Sequence, residues 1–318
     1  MKIAFFWTPQ FAADILSGIL MFPEMDVKVV VSQPDMPVGR KQEILVTPTK
    51  FVAQKNNLGV KQPEKLKKNK EFEGFLKSLN LDFIVVVAYG KIIPKSILDI
   101  PKYGCINIHG SLLPKYRGAS PVQACLKNGD RETWLTTMYM SEGMDEWDIL
   151  KIAKIDIDIL DTSETLFQKF VEIWPGLLWE TLQEIQGWFL VWTPQNHQNA
   201  TYCSKISKED GEISFQRQTV QEIHNLFRAY TPWPGIHTFY EGKKLALEAC
   251  GLSFTWENSS SEPMPVGSFL KLSKNRYGII CADTKIIEVI QVKLEGKKSM
   301  DVQSFVNGNK NILNYIFA

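Results

Sequence analysis

The run "LDFIVVVAY", residues 81–89, limits the possible folds more than any other stretch of this chain. It is apolar at nearly every position and crowded with β-branched residues. A strand with one wet face alternates apolar and polar positions. A strand without alternation is covered on both faces, as when helices pack on either side of a parallel sheet. Neighbouring segments repeat the pattern: "KIAFF", "VKVVVS" and "GCINIH" read as further buried strands. Between them lie helical stretches. In "PQFAADILSGIL", Phe11, Ile15, Ile19 and Leu20 approximate one stripe, and "PTKFVAQKNN" and "NKEFEGFLKSL" follow. Strands alternating with helices imply βαβ units and a mostly parallel sheet. "LTTMYM" and "DILKIAKIDI" then read as a β-pair joined by the acidic stretch "YMSEGMDEWDIL". After "DTSE", with Asp161 or Thr162 as N-cap, Leu166, Phe167, Phe170, Val171 and Ile173 form a helical face.

From about residue 188 the pattern changes. "TPQNHQNATYCSKISKEDGE" is polar, without periodicity, and reads as a linker. Beyond it come one helix, "VQEIHNLFRAY", and short runs such as "HTFYEG", "KLALEACGL", "GSFLKL", "YGIICA" and "IIEVIQV". Closely spaced strands with turn residues between them suggest a small β-barrel. The expected organisation is residues 1–188 as one domain, 189–206 as a linker and 207–318 as a second domain. A chain of 318 residues with 44% apolar residues has room for two such cores. The formal charge is only +1, so a nucleic-acid partner would have to meet locally concentrated positive charge. No run approaches the roughly 20 apolar residues of a membrane span, and "MKIAFFW" enters a strand without a signal-peptide pattern. The five cysteines are scattered and never form a CxxC pair, as expected of reduced thiols in the cytoplasm. The four histidines lack metal-ligand spacing, so no metal is expected.

The chemistry is expected in "CINIHGSLLPKYRGASPVQ", residues 105–123. A hydrophobic strand ends by delivering Asn107 and His109, two positions apart and so on one face. Ligands of open α/β sheets usually bind at that carboxyl end. Leu112 and Leu113 before Pro114 suit a pocket wall, and Asp145 lies in the acidic loop further on. An Asn, a His and an Asp that converge could stabilise an oxyanion and move a proton. Taken singly, a strand-end His can equally be a hydrogen-bonded structural residue and Asp145 a turn-former. Ser111 beside His109 lacks the G-x-S-x-G elbow of a hydrolase. The first βα junction, "FFWTPQF", lacks G-x-G-x-x-G, which disfavours a dinucleotide oxidoreductase.

"INIHGSLLPKYRGASPVQ" followed by "EGMDEWDIL" resembles the folate-dependent formyltransferase family, on its tRNA-acting side. "SQPDMPVGRK", "VVVAYGKIIPKSIL", "TYCSKISKEDGEI", "HNLFRAYTPWPG" and "GKKSMDVQSFVNG" extend the likeness over nearly the whole chain. The resemblance implies an α/β fold: a Rossmann-like formyltransferase domain followed by an OB-like barrel that helps hold tRNA. It implies transfer of the formyl group of 10-formyltetrahydrofolate to the amine of methionyl initiator tRNA, by a cytoplasmic enzyme expected to be a monomer with no metal. Asn107 and protonated His109 would donate to the oxyanion, each donor being worth about 3–4 kcal/mol. Asp145 would hold His109 and help take the amine's proton. Ser111, Leu112, Leu113 and Pro114 correspond to the folate-contacting turn, and Arg40 and Lys41 to the loop that reaches the tRNA acceptor end. The family often has a further basic residue where this chain has Met36, and "KLKKNK" at 65–70 adds positive charge nearby in sequence.

Several tryptophans fall where the family pattern has glycine: Trp7, Trp134, Trp147, Trp174 and, before "TPQ", Trp192. Trp233 in "PWPG" is the family's own residue. Glycine at such places serves a close backbone approach or a positive φ. So many changes of one kind suggest one cause, a UGA codon read as glycine in the source and as tryptophan by common alternative tables. UGG at positions 7, 134 and 147 would overturn that. Two other readings remain open: a formyltransferase acting on a sugar-nucleotide or ribonucleotide amine, and a non-catalytic tRNA-binding relative.

Overall fold

The computed structural model describes residues 1–7, 10–38, 43–252 and 264–318. By internal contacts the chain forms two units. One comprises Met1–Pro121, Glu132–Ile157 and Leu166–Ser204; the other comprises Val122–Arg131, Asp158–Thr165 and Lys205–Ala318.

The first unit is built on a seven-stranded sheet. Its strands are β1 (Lys2–Phe6), β2 (Asp26–Val31), β3 (Val60–Lys61), β4 (Phe83–Val86), β5 (Cys105–His109), β6 (Glu132–Tyr139) and β7 (Ile149–Asp156). The spatial order is β7-β6-β5-β4-β1-β2-β3. The strands from β3 to β5 run parallel, and the β6–β7 hairpin adds two antiparallel strands beside β5. Ile3, Ala4, Phe5 and Phe6 are fully buried, so both faces of β1 are covered, as the unbroken apolar runs require. On one face Ala4, Phe6, Val31, Ile84 and Val86 meet Phe72 and Leu76, spaced i, i+4 on the helix Lys70–Ser78. On the other, Phe5 touches Trp7, which touches Trp174 of the long helix Ser163–Gln186. That helix buries Phe170, Trp174, Leu178 and Leu182, one residue per turn. Gly18 of the helix Gln10–Ile19 lies against its Pro175 so closely that a Cβ would overlap the proline ring. Thr162 caps the long helix, its hydroxyl accepting from the Thr165 N–H.

The second unit carries an antiparallel six-stranded sheet. Its strands are β8 (Ile236–Tyr240), β9 (Lys243–Leu252), β10 (Phe269–Ser273), β11 (Arg276–Ile280), β12 (Ile286–Leu294) and β13 (Met300–Asp301). The order is β8-β9-β12-β11-β10, with β13 paired to β12. Glu241 and Gly242, both with positive φ, make the two-residue turn between β8 and β9 that matches the strands' twist. The helix Val220–Tyr230 begins with a capping box between Thr219 and Glu222 and buries Ile223, Leu226 and Tyr230. The sequence pattern located five of these strands. β13 and the helix Val302–Gly308 carry too few residues to show a period. Among the described residues no helix is long and apolar enough to cross a membrane, and no metal-ligating cluster gathers.

Candidate functional site

β5 lies where the parallel strands meet the antiparallel hairpin: Asn107 is opposite Val86 of β4 and Met138 of β6, and His109 is opposite Thr136. Ladders on both sides fix the strand, so Asn107 and His109 leave the sheet on one face from a rigid base. Asn107 is half-buried and His109 is 5% exposed.

The β6–β7 loop brings Asp145 to them. Its Oδ1 accepts from Asn107 Nδ2 at 3.3 Å, and its Oδ2 accepts from the Gly118 N–H at 2.9 Å. The same Oδ2 lies 3.6 Å from His109 Nδ1. His109 Nε2 donates to the Tyr116 carbonyl at 2.8 Å, because a carbonyl can only accept. The ring atom facing the carboxylate is therefore Nδ1. With both nitrogens protonated, the ring serves the Tyr116 carbonyl and faces Asp145 with a positive charge. With Nδ1 bare, a lone pair faces a carboxylate. Asp145 has φ 51, a left-handed conformation uncommon outside glycine.

The turn after β5 separates its members. Ser111 is fully buried; its hydroxyl donates to the Lys115 carbonyl at 2.6 Å, and its own carbonyl accepts from Thr136 Oγ1. Leu113 is buried, while Leu112 and Pro114 are half-buried and are the turn's apolar surface. Gly118 has φ 119, and a Cβ there would run into the Cys203 carbonyl. It belongs to a short parallel pairing of Arg117–Gly118 with Tyr202–Cys203. Arg40 and Lys41 lie outside the described residues. Lys65, Lys67, Lys68 and Lys70 are exposed around the buried Leu66.

The tryptophans divide by surroundings. Trp7 and Trp174 are buried with ring centroids 5.0 Å apart, and neither indole N–H has a hydrogen-bond partner among the described residues. Trp134 is half-buried on β6. Trp147 is 48% exposed and lines a shallow pocket with Asn107, Met138, Tyr139, Met140 and Asp145.

The site draws on residues that no sequence pattern marked. Gly118 holds the carboxylate through its backbone. Gln195, in the span expected to be a linker, donates to the carbonyls of Asp145 and Trp147. An isolated glutamine in a polar stretch carries no periodicity, and its contacts are with residues some fifty positions away. Chemically, an amide hydrogen-bonded to a carboxylate, with an imidazole nitrogen 3.6 Å from that carboxylate, can stabilise a developing oxyanion and accept a proton from an attacking nucleophile.

Residues 1–182 match the family described as Formyl transferase, and residues 205–310 match Formyl transferase, C-terminal domain. The chain is 45% identical to the methionyl-tRNA formyltransferase of Caldicellulosiruptor saccharolyticus, over 98% of this chain and 97% of that protein. It is 40% identical to the methionyl-tRNA formyltransferase of Acidobacterium capsulatum, over 97% of each. Among solved structures, a sugar 3N-formyl transferase, WlaRD, crystallised with dTDP and 5-N-formyl-THF, superimposes with a TM-score of 0.63. The superposition covers 94% of this chain and 99% of that one, at 20% sequence identity, and so concerns the fold.

Proposed function

The chain belongs to the formyl transferase family, and we propose that it transfers the formyl group of 10-formyltetrahydrofolate to the amino group of methionyl initiator tRNA, giving N-formylmethionyl-tRNA for translation initiation. Full-length relatives carrying that name at up to 45% identity support the substrate. The observation that carries the chemistry is the meeting of Asn107, His109 and Asp145 at the end of β5.

The methionyl amine attacks the formyl carbon, and the carbonyl oxygen gains negative charge. The bond from that carbon to N10 then breaks, N10 gains a proton as tetrahydrofolate leaves, and the amine loses one, so the transfer balances. Asn107 Nδ2 has two hydrogens, one directed at Asp145, so the other is available to the oxyanion. His109 donates its Nε2–H to the Tyr116 carbonyl, and its Nδ1–H, 3.6 Å from Asp145 Oδ2 and so not hydrogen-bonded to it, is its donor on the reacting side. Asp145 balances the imidazolium and, directly or through a water, takes the amine's proton. Leu112 and Pro114 offer apolar surface to the folate's ring system, while Ser111 acts through the backbone of the turn. Arg40 and Lys41 contact the acceptor end of the tRNA. Residues 1–188 carry the catalytic centre, 189–206 connect, and 207–318 hold tRNA.

The test is a formylation assay with 10-formyltetrahydrofolate and charged initiator tRNA, run beside a dTDP-amino sugar. Formyl transfer to the tRNA, lost in His109→Ala, is the expected result. Transfer only to the amino sugar, or tRNA binding without transfer, would sink the proposal.

A further inference from the structure

Asp145 is the least naturally placed member of its site. It sits on a loop, its backbone is left-handed, and no β-ladder holds it. Its side chain is gripped by Asn107 and Gly118, yet those bonds serve only if the backbone stays put. Gln195 supplies the hold. Its Nε2 donates to the Asp145 carbonyl at 3.0 Å and to the Trp147 carbonyl at 2.5 Å. Its Oε1 accepts from Arg117 Nε at 3.2 Å and Nη2 at 2.6 Å. Two donors on one end and two carbonyls on the other leave the amide a single orientation. The chain carrying Gln195 is anchored in turn, because Thr193 and Ile149 exchange backbone hydrogen bonds of 2.8 and 2.9 Å.

Arg117 completes the device. It is 2% exposed, and its Nη2 also meets His197 Nδ1 at 3.0 Å. Burying a guanidinium is costly unless its donors are satisfied, so a glutamine oxygen and an imidazole nitrogen at fixed places matter here. Arg117 also precedes Gly118, whose N–H holds the Asp145 carboxylate. One two-residue segment thus steadies Asp145 at both ends: its carboxylate through Gly118, and its backbone through Arg117 and Gln195.

We infer that Gln195 and Arg117 are positioning residues that clamp the loop bearing Asp145 and keep its carboxylate in register with Asn107 and His109. This rests on the formyl-transfer reading of the site for its kinetic consequence, and on geometry alone for the clamp. A carboxylate that moves by about 1 Å can lose about 100-fold in rate.

The decisive variant is Gln195→Glu. A glutamate keeps, and strengthens, the partner of Arg117, so the fold is retained. It cannot donate to either carbonyl, so the loop is released. Expected are a kcat lower by about 10- to 100-fold, KM values for folate and tRNA changed far less, and an undiminished melting temperature. Combined with Asp145→Asn it should cost nothing further, since the clamp acts through that carboxylate. Amide hydrogen exchange of residues 143–147 should quicken in Gln195→Glu. Gln195→Asn, which keeps an amide but is one methylene too short to span Arg117 and both carbonyls, repeats the test should the glutamate variant not fold. Parental kcat together with unchanged exchange would overturn the clamp. If the parent protein transfers no formyl group to initiator tRNA, the functional reading fails, and the exchange experiment alone decides the clamp.

Discussion

Two histidines in this protein are equally buried, each 5% exposed, and their surroundings make them opposites. His109, at the end of β5, gives one nitrogen to a carbonyl and turns the other toward a carboxylate 3.6 Å away. His224, in the second unit, has no partner at Nδ1 among the described residues, and the charged neighbour that acts on it is Arg228. Burial, aided by that guanidinium, pushes His224 down to about 4. It is therefore a neutral packing residue across the physiological range. Burial by itself silences an imidazole; what makes one useful is a carboxylate placed to receive the charge that catalysis produces.

Removing that carboxylate should break the contrast. Asp145→Asn keeps the shape and the Gly118 hydrogen bond but leaves His109, like His224, without a counter-charge. Formylation should fall by about 10²- to 10⁴-fold, the range of a lost general acid or base. Circular dichroism and melting temperature should stay near the parent's, and a variant that kept its rate would remove Asp145 from the mechanism. Asn107→Ala comes next. It deletes an oxyanion donor while leaving the His109–Asp145 pair, and kcat should drop by about 10²- to 10³-fold with little change in KM.

The other half of the comparison is tested by pH. The folded protein protonates His224 only near pH 4, whereas an unfolded chain does so near the ordinary value of 6.5. Between those values the unfolded state binds more protons, so stability is full above about 6.5 and declines as the pH falls toward 4. The loss attributable to this group reaches about 3 kcal/mol. Urea unfolding at pH 7 and pH 5 should show the decline, and His224→Leu should flatten it while leaving formylation at pH 7 unchanged. An equal slope in the variant would mean that other groups dominate.

How much of this was legible in the sequence follows from what fixes each residue. Asn107 and His109 sit on a strand whose apolar run and i, i+2 spacing are local facts, so position and face both follow from a few letters. The β-strands of the second unit show themselves for the same reason. Asp145 could be nominated as a carboxylate in an acidic loop, but not chosen over Glu142, Glu146 or Asp148 without the family resemblance. Loop geometry is set by distant partners. Gly118, Gln195 and Arg117 are those partners, and they lie 27 to 78 positions from the residues they hold. Ser111 shows the converse. Its type suggests a ligand hydroxyl, yet that hydroxyl donates within its own turn.

The smallest expected effect concerns Trp147, which shares the pocket beside Asn107 and Asp145. If the tryptophans at glycine-like positions come from one misread codon, the positions should show the backbone or packing need that glycine meets. Trp188 does, although its sequence context did not mark it. It has φ 61 just beyond the long helix, with its N–H directed to the Ile185 carbonyl and that of Phe189 to Glu184. That is the helix-terminating geometry in which the left-handed residue is usually glycine. Trp7 and Trp174 add buried indole N–H groups without acceptors among the described residues, and an unmet buried donor costs about 1–3 kcal/mol. The decoding account therefore expects UGA at 7, 134, 147 and 174, and extends to 188; UGG at 7, 134 and 147 would end it. For the protein with the sequence as it stands, Trp147→Gly should raise formylation severalfold by clearing the indole from the pocket. The Trp147 carbonyl that accepts from Gln195 belongs to the backbone and is kept by glycine, so the clamp survives the change. An unchanged rate would mean that the indole, already half in solvent, leaves the approach to Asp145 open.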